Sequence, residues 1–290
     1  MATRADFAPI VVSYLLCVAA GAAVLFGGSG LPQPWDALAA DVLATVVIFG
    51  FSYAYKNSSF YDAYWSVIPP LLAVYWYWAN PGSFEPTRAA LVIGLVWLWA
   101  IRLTTNWSVY WGGLHHEDWR YPIVRARAGR YATLADFGGI HLFPTLQVFA
   151  GCLPIYAVLS QGSAPLGWLD ALACAVTLGA ITLELVADLQ LHAYIARRQP
   201  GQFIKTGLWA WSRHPNYLGE LSFWWGLALF GLAAAPQAWW WVLPGALTMN
   251  LMFVFVSVPF MDERSCERRP AYREHMRKVS ALMLLPPRKG

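Results

Sequence analysis

Thr206-Gly207-Leu208-Trp209-Ala210-Trp211-Ser212-Arg213-His214-Pro215-Asn216-Tyr217-Leu218-Gly219-Glu220 is a polar, charged segment set between long apolar runs. The run 167–191 precedes it, and the runs 219–234 and 238–259 follow. A helix needs about 20 apolar residues to cross the hydrocarbon core of a bilayer. The flanking runs therefore read as membrane helices, and Arg213, His214, Asn216 and Glu220 stand where one of them begins. Ionisable groups near a bilayer are costly, so their default reading is functional.

The pattern extends over the whole chain. Further apolar runs cover 8–27, 37–55, 64–80, 88–111 and 142–160, with turn signals at Gly27-Gly28-Ser29-Gly30, Asn80-Pro81-Gly82 and Gly162-Ser163-Ala164-Pro165. Of the 290 residues, 58% are hydrophobic and only 12% charged, whereas a soluble domain is about half apolar and a quarter charged. The 17 Trp, 14 Tyr and 15 Phe suit anchoring at bilayer interfaces. The expected fold is all-α: a polytopic membrane helical bundle with a seven-helix core, the run 8–27 being an extra N-terminal helix. That first run has no clear cleavage site after it and reads as a retained helix, not a signal peptide. Ala235-Pro236-Gln237 predicts a tight hairpin between the last two runs. Residues 1–290 are read as one integral membrane domain, with the cofactor-binding half over about 100–290.

Cys17, Cys152, Cys174 and Cys266 show no CxxC spacing, and three lie in apolar runs, so they read as small buried hydrophobes. Cations concentrate in three segments: 112–140 with Arg120, Arg125, Arg127 and Arg130; 192–218 with Arg197, Arg198, Lys205 and Arg213; and the tail from 262 to Lys289. The positive-inside rule places all three in the cytoplasm, with the C-terminus. No basic stripe lies on a soluble face, so the expected partners are membrane lipids and not nucleic acid, and a monomer is expected.

Four constellations carry chemistry. Pro215 suits a helix start, Asn216 falls in its first turn, and Glu220 follows four residues later on the same face. The free N–H groups of such a helix start suit phosphate or amide ligands; capping with snorkelling is the bland reading. Glu184, Asp188 and His192 are spaced four apart on one helix face, followed by Arg197 and Arg198. They read as a ligand face or as buried partners of Arg102 or Lys205; no second cluster of ligand-type residues accompanies them, so no metal is expected. Asp62, in Ser58-Ser59-Phe60-Tyr61-Asp62-Ala63-Tyr64-Trp65, stands at the start of an apolar run. It is either a helix-start carboxylate or an acid of raised pKa that donates a hydrogen bond to a substrate carbonyl. Arg102 sits inside an apolar run and needs an anionic partner, and the loop Glu117-Asp118-Trp119-Arg120-Tyr121 follows it. There is no GxGxxG after a strand and no Walker loop, so a nucleotide would bind by a non-Rossmann route.

Over residues 50–287 these motifs, in this order, resemble the steroid 5-alpha-reductase family and its bacterial relatives of the DUF1295 type, a group related to sterol reductases and isoprenylcysteine carboxyl methyltransferases. Arg213-His214-Pro215-Asn216-Tyr217-Leu218-Gly219-Glu220 is similar to that family's cofactor segment, and Lys205-Thr206-Gly207-Leu208 to the basic residue and glycine preceding it. Asp62 stands where the family has its catalytic Glu, and Tyr61 where it has Gln; Tyr53, Tyr61 or Tyr64 is the available phenol. Asp262-Glu263-Arg264-Ser265-Cys266 with Tyr272 resembles the sterol-reductase tail.

The resemblance implies an NADPH-dependent reductase acting on the Δ4 double bond of a 3-oxo steroid or similar lipid enone that enters from the bilayer. It implies catalytic roles for Asp62, Tyr61 and Tyr64. It assigns the cofactor to Arg102, Asp118, Arg120, Tyr121, Glu184, Asp188, Arg197, Lys205, Trp209, Arg213, His214, Asn216, Tyr217, Glu220 and Glu263. The alternatives are an S-adenosylmethionine-dependent lipid or isoprenylcysteine methyltransferase and a non-enzymatic lipid-binding protein.

Overall fold

The computed structural model describes residues 2–288; Lys289, counted above with the cations of the tail, lies outside them. Among the described residues the regular structure is helical, with one isolated parallel bridge between Ser212 and Ser280. The chain divides into two compact units, Met1–Ser163 and Ala164–Gly290.

The first unit contains α1 (Arg4–Phe26), α2 (Trp35–Tyr55), α3 (Tyr64–Ala79), α4 (Pro86–Tyr110), α5 (Arg120–Ala128), α6 (Ala132–Ala135) and α7 (Phe143–Gln161). Its helix starts follow from local chemistry. The Asp6 carboxylate accepts the Thr3 N–H at 2.7 Å, and the Glu85 carboxylate accepts the Arg88 N–H at 2.6 Å just before Pro86 at the first helical position. α1 packs on α2, α3 on α4, and α7 on α2, α3 and α4. Trp76 and Trp99 are fully enclosed in this core.

The second unit contains α8 (Trp168–Ile195), α9 (Pro215–Ala234), α10 (Trp239–Met252), α11 (Val258–Arg268) and α12 (Tyr272–Lys278). Its main contact is α8 against α9. Between membrane helices small residues permit close backbone approach, which replaces the hydrophobic drive lost in lipid. A Cβ on Gly219 would lie 2.3 Å from Glu184 Cγ and 3.0 Å from the Ala180 carbonyl oxygen, so only glycine fits there. Gly207 has φ +60°, and its neighbour Leu208 donates its N–H to Gln190 Oε1 at 2.9 Å, tying the 206–210 segment to α8.

Six stretches are long and apolar enough to cross a membrane: Arg4–Phe26, Trp35–Tyr55, Pro86–Tyr110, Arg120–Gln161, Trp168–Ile195 and Pro236–Arg268. Their outer faces are apolar and exposed, with Leu15, Leu189 and Phe255 among them. An apolar exterior of this extent is stable only against lipid, so the chain is an integral membrane protein.

By length and hydropathy six stretches qualify as spans, against the eight apolar runs of the sequence. α3 has 16 residues and α9 has 20, and neither is among the six. The expected loop 112–140 is helical from Arg120 onward: α5, α6 and a π-helical stretch, Asp136–Leu142, run directly into α7. Its arginines had marked it as a connector, but arginine is a good helix former, and charge pattern says nothing of backbone conformation. A second π-helical stretch, Phe253–Ser257, joins α10 to α11.

Candidate functional site

In the first unit Asp62 is held by two segments that lock together. Lys56, at φ +54°, ends α2 in the left-handed region and turns the chain. Asn57 then donates to the carbonyls of Leu114 and His116 at 2.8 and 3.2 Å, and its Oδ1 accepts the Ser59 N–H at 2.9 Å. Glu117 accepts the Ser58 N–H at 2.8 Å and pairs with Arg125. Arg125 also reaches Asp136 at 3.2 Å, and Asp136 accepts the Ser58 hydroxyl at 2.7 Å. Ser59 Oγ accepts the Asp118 N–H at 3.1 Å. This frame brings the Tyr121 hydroxyl to Asp62 Oδ1, to which it donates at 2.5 Å. Burial pushes the Asp62 carboxyl up to about 6, against the opposing hydrogen bonds from Tyr121 and Ser59.

Tyr61 and Tyr64 take other partners. Their rings stack at 5.1 Å. The Tyr61 hydroxyl meets Thr145 Oγ1 at 2.8 Å, and the Tyr64 hydroxyl donates to Asp41 Oδ1 at 2.8 Å. Burial holds the Tyr61 phenol well above its ordinary range. Tyr53, the other sequence candidate, points to the exterior. The phenol on Asp62 is thus Tyr121, a residue assigned by resemblance to the cofactor. Asp118 pairs with Arg120, two residues away, at 2.8 Å. Arg102 lies half-buried on α4.

In the second unit the tail anchors the segment 211–214. Arg213 and His214 donate their N–H groups to the carbonyls of Ser280 and Ala281 at 2.9 and 3.1 Å, continuing the Ser212–Ser280 bridge. Asp262 of α11 is clamped by three side chains. Arg213 Nη2 and Nε approach its two oxygens at 2.6 and 3.2 Å, His214 Nε2 lies at 2.9 Å, and Tyr272 donates at 3.3 Å. Arg213 Nη1 donates to the Val279 and Met276 carbonyls at 2.7 and 3.2 Å. His214 and Arg213 therefore hold the start of α9 in place.

Beside this clamp is a cavity of about 170 Å³, lined by Tyr194, Arg198, Trp209, Arg213, His214, Asn216, Tyr217, Ser265, Arg269, Tyr272 and His275 among others. Trp209 donates its indole N–H to the Ala187 carbonyl at 3.0 Å and packs with Ile204, so it is a wall. Tyr217 stacks on His214 at 5.3 Å. Asn216 stands in the first turn of α9, where backbone N–H groups lack intrahelical partners. The buried Tyr194 hydroxyl has no hydrogen-bond partner among the described residues. His275 is pushed down to about 4, first by burial and then by the positive charges of Lys205 and Arg213. Burial likewise lowers Arg269. The cavity thus combines the guanidinium groups of Arg198, Arg213 and Arg269 with a helix N-terminus, the chemistry that suits an anion.

The remaining candidates of the second unit, Glu184, Asp188, Arg197, Lys205, Glu220 and Glu263, are not among the residues that line this cavity. Glu220 is buried and accepts the Trp224 indole N–H at 2.8 Å, while Glu184 is buried against Gly219. Asp188 is half-buried on α8. Lys205 lies over the Phe203 ring at 4.5 Å, and Arg197 and Glu263 are exposed. Sequence reasoning did not single out Tyr194, Arg269 or His275. Arg269 was counted only as an orienting charge, and the other two carried no spacing signal.

An uncharacterised protein of Schizosaccharomyces pombe is 30% identical, the match covering 80% of this chain and 74% of that protein. A protein-S-isoprenylcysteine O-methyltransferase of Saccharomyces cerevisiae is 27% identical over 42% of this chain and 44% of its own length. No solved structure matches the chain. The family model described as protein of unknown function (DUF1295) matches residues 48–279, and the chain belongs to that family.

Proposed function

We propose that this protein is a membrane reductase that uses NADPH to saturate the double bond of a lipid enone, of the 3-oxo-Δ4 steroid type. The observation that carries the reading is the Tyr121–Asp62 hydrogen bond at 2.5 Å, on a carboxyl raised to about 6. A phenol backed by a desolvated acid is suited to donate to a carbonyl oxygen on which negative charge develops.

Arg198, Arg213, Arg269 and the first turn of α9 with Asn216 line the second-unit cavity and fit the phosphate or carboxamide portion of such a cofactor. At about 170 Å³ that cavity takes one portion of a dinucleotide, not all of it. When bound, NADPH supplies the hydride; the protein supplies orientation and polarisation. With Asp62 protonated the hydrogen bond between the two reverses: Asp62 donates to the Tyr121 oxygen, Tyr121 turns its own O–H to the carbonyl, and a proton given up by Tyr121 is replaced from Asp62.

The cation-rich segments face the cytoplasm in this reading. Segment 56–63 bonds to 114–121, and segment 211–214 bonds to the tail, so each pair shares one membrane face. That requires α3 to cross back against α4, and α9 against the 236–268 stretch, giving eight crossings.

Purified full-length protein should consume NADPH on addition of a 3-oxo-Δ4 steroid. Tyr121→Phe and Asp62→Asn should each lower kcat by about a hundredfold with little change in the KM for NADPH. Unchanged turnover in both variants would sink the assignment of the acid pair.

The yeast methyltransferase relative favours a second reading, methyl transfer from S-adenosylmethionine to a lipid thiol. The carboxylate of that cofactor would meet the same cations. Saturable binding of S-adenosylmethionine, with no NADPH consumption, would replace the first reading by the second.

A further inference from the structure

A cavity of about 510 Å³ in the first unit lies among α1, α2 and α3. Cys17, Gly21, Phe26, Asp41, Tyr75 and Trp78 mark its extent, and nearly all of its remaining lining is aliphatic. Phe26 and Trp78 are 81% and 75% exposed, so its rim faces the surrounding lipid. α1 and the α2 residues that wall it lie upstream of residue 48, where the match to the family begins. It is separate from the Asp62–Tyr121 pair, and its polar end is a different acid.

That acid is Asp41, 5% exposed and six residues into α2, hence roughly 9 Å along the helix from its start. Its Oδ1 accepts the Tyr64 hydroxyl at 2.8 Å. No other described side chain donates to the carboxyl group, and no cationic side chain lines the cavity. The other polar groups on the walls are occupied. Cys17 Sγ donates to the Ala44 carbonyl at 3.2 Å, and the Tyr75 hydroxyl is paired with Asp36. The Asp41 carboxyl group thus lines an apolar space that opens to lipid. A polar group in such a place is expensive unless a partner satisfies it.

We propose that this cavity binds a lipid alcohol, whose hydroxyl hydrogen-bonds the Asp41 carboxyl group while the hydrocarbon body fills the space between α1, α2 and α3. An apolar cleft of several hundred Å³ with one convergent polar group is the usual form of a small-ligand site. Donors and acceptors select the head group. A primary ammonium carries three N–H donors, and the cavity offers one carboxyl group. A carboxyl group buried without a cation is neutral, so it both donates and accepts; a hydroxyl answers both functions, whereas an ether or an ester can only accept.

The test uses full-length protein in detergent and a dodecan-1-ol probe with a photoactivatable diazirine near its methyl end, the labelled peptides being identified by mass spectrometry. Labelling should be saturable, should fall in 17–26 and 68–79, and should be displaced by unlabelled dodecan-1-ol but not by its methyl ether or by dodecylamine. Asp41→Leu should weaken displacement by about tenfold, the loss expected for one hydrogen bond to a carboxyl group. Tyr64 keeps the Asp41 backbone carbonyl at 3.1 Å as a partner in that variant. Ala22→Leu narrows the cavity from α1, and should weaken labelling while the protein stays folded. Asp62→Asn should leave labelling unchanged, so this result stands apart from the reductase reading. Equal displacement by the ether, stronger displacement by the amine, or labelling left unchanged by Ala22→Leu would each overturn the proposal.

Discussion

At the scale of single residues, two titrating groups carry the pH behaviour. Asp62 has its carboxyl raised to about 6, so its protonated form persists further into the physiological range than an ordinary carboxylic acid's. If that proton serves the carbonyl, kcat/KM falls as pH rises through about 6, and Asp62→Asn removes this limb of the pH–rate profile. His275 is shifted the opposite way, to about 4. The folded chain therefore refuses a proton that the unfolded chain accepts below about 6.5, and this group's contribution to stability is lost as pH falls from there toward 4. An anion in the adjacent cavity relieves the positive field of Lys205 and Arg213. Sulfate, titrated by calorimetry, should bind more tightly as pH falls through that window, and His275→Gln should flatten the dependence.

At the scale of elements, the second unit depends on two contacts. The first is the approach of α9 to α8, set by Gly219 and Gly226. A Cβ at Gly226 would come within 2.1 Å of Thr177 Oγ1. Overpacking of this kind costs about 1–3 kcal/mol, so Gly226→Ala should lower the thermal midpoint of the purified protein, and Gly219→Ala should do the same. The second is the Asp262 clamp. Asp262→Ala leaves the Arg213 guanidinium, 9% exposed, without its carboxylate. Breaking a buried pair by removing one partner costs about 3–5 kcal/mol. The variant should show early proteolysis in the 279–288 tail, because the tail is tied to Arg213.

At the scale of the whole molecule, the question is how many times the chain crosses. Length and hydropathy select six stretches and pass over α3 and α9. An α3 of 16 residues is about 24 Å long, less than the hydrocarbon thickness, which a thinned bilayer or flanking aromatic residues accommodate. Single cysteines at positions 115, 200 and 271, in a background lacking the native four, should all react with an impermeant maleimide from the same side. Residues 82 and 163 should react from the other. A tail labelled opposite to position 200 would show that α9 does not cross.

Membrane class, helical architecture and the hairpin after Ala234 were legible in the chain because they follow from apolar run length and from Pro and Gly, which act locally. The start of α9 at Pro215, with Asn216 in its first turn, was legible for the same reason. The helical character of 120–142 was not, since arginine-rich sequence reads alike in a loop and on a helix. Pairings between distant positions belong to the tertiary structure alone. That Tyr121 and not Tyr61 or Tyr64 meets Asp62, that Arg213 and His214 hold Asp262, and that Asp41 ends an apolar cavity all depend on contacts between residues 23 to 59 positions apart. Sequence determined which residues are costly to bury in this membrane protein. Only packing decided which of them satisfy one another and which face open space, because hydrogen-bond geometry is set by where whole helices come to rest.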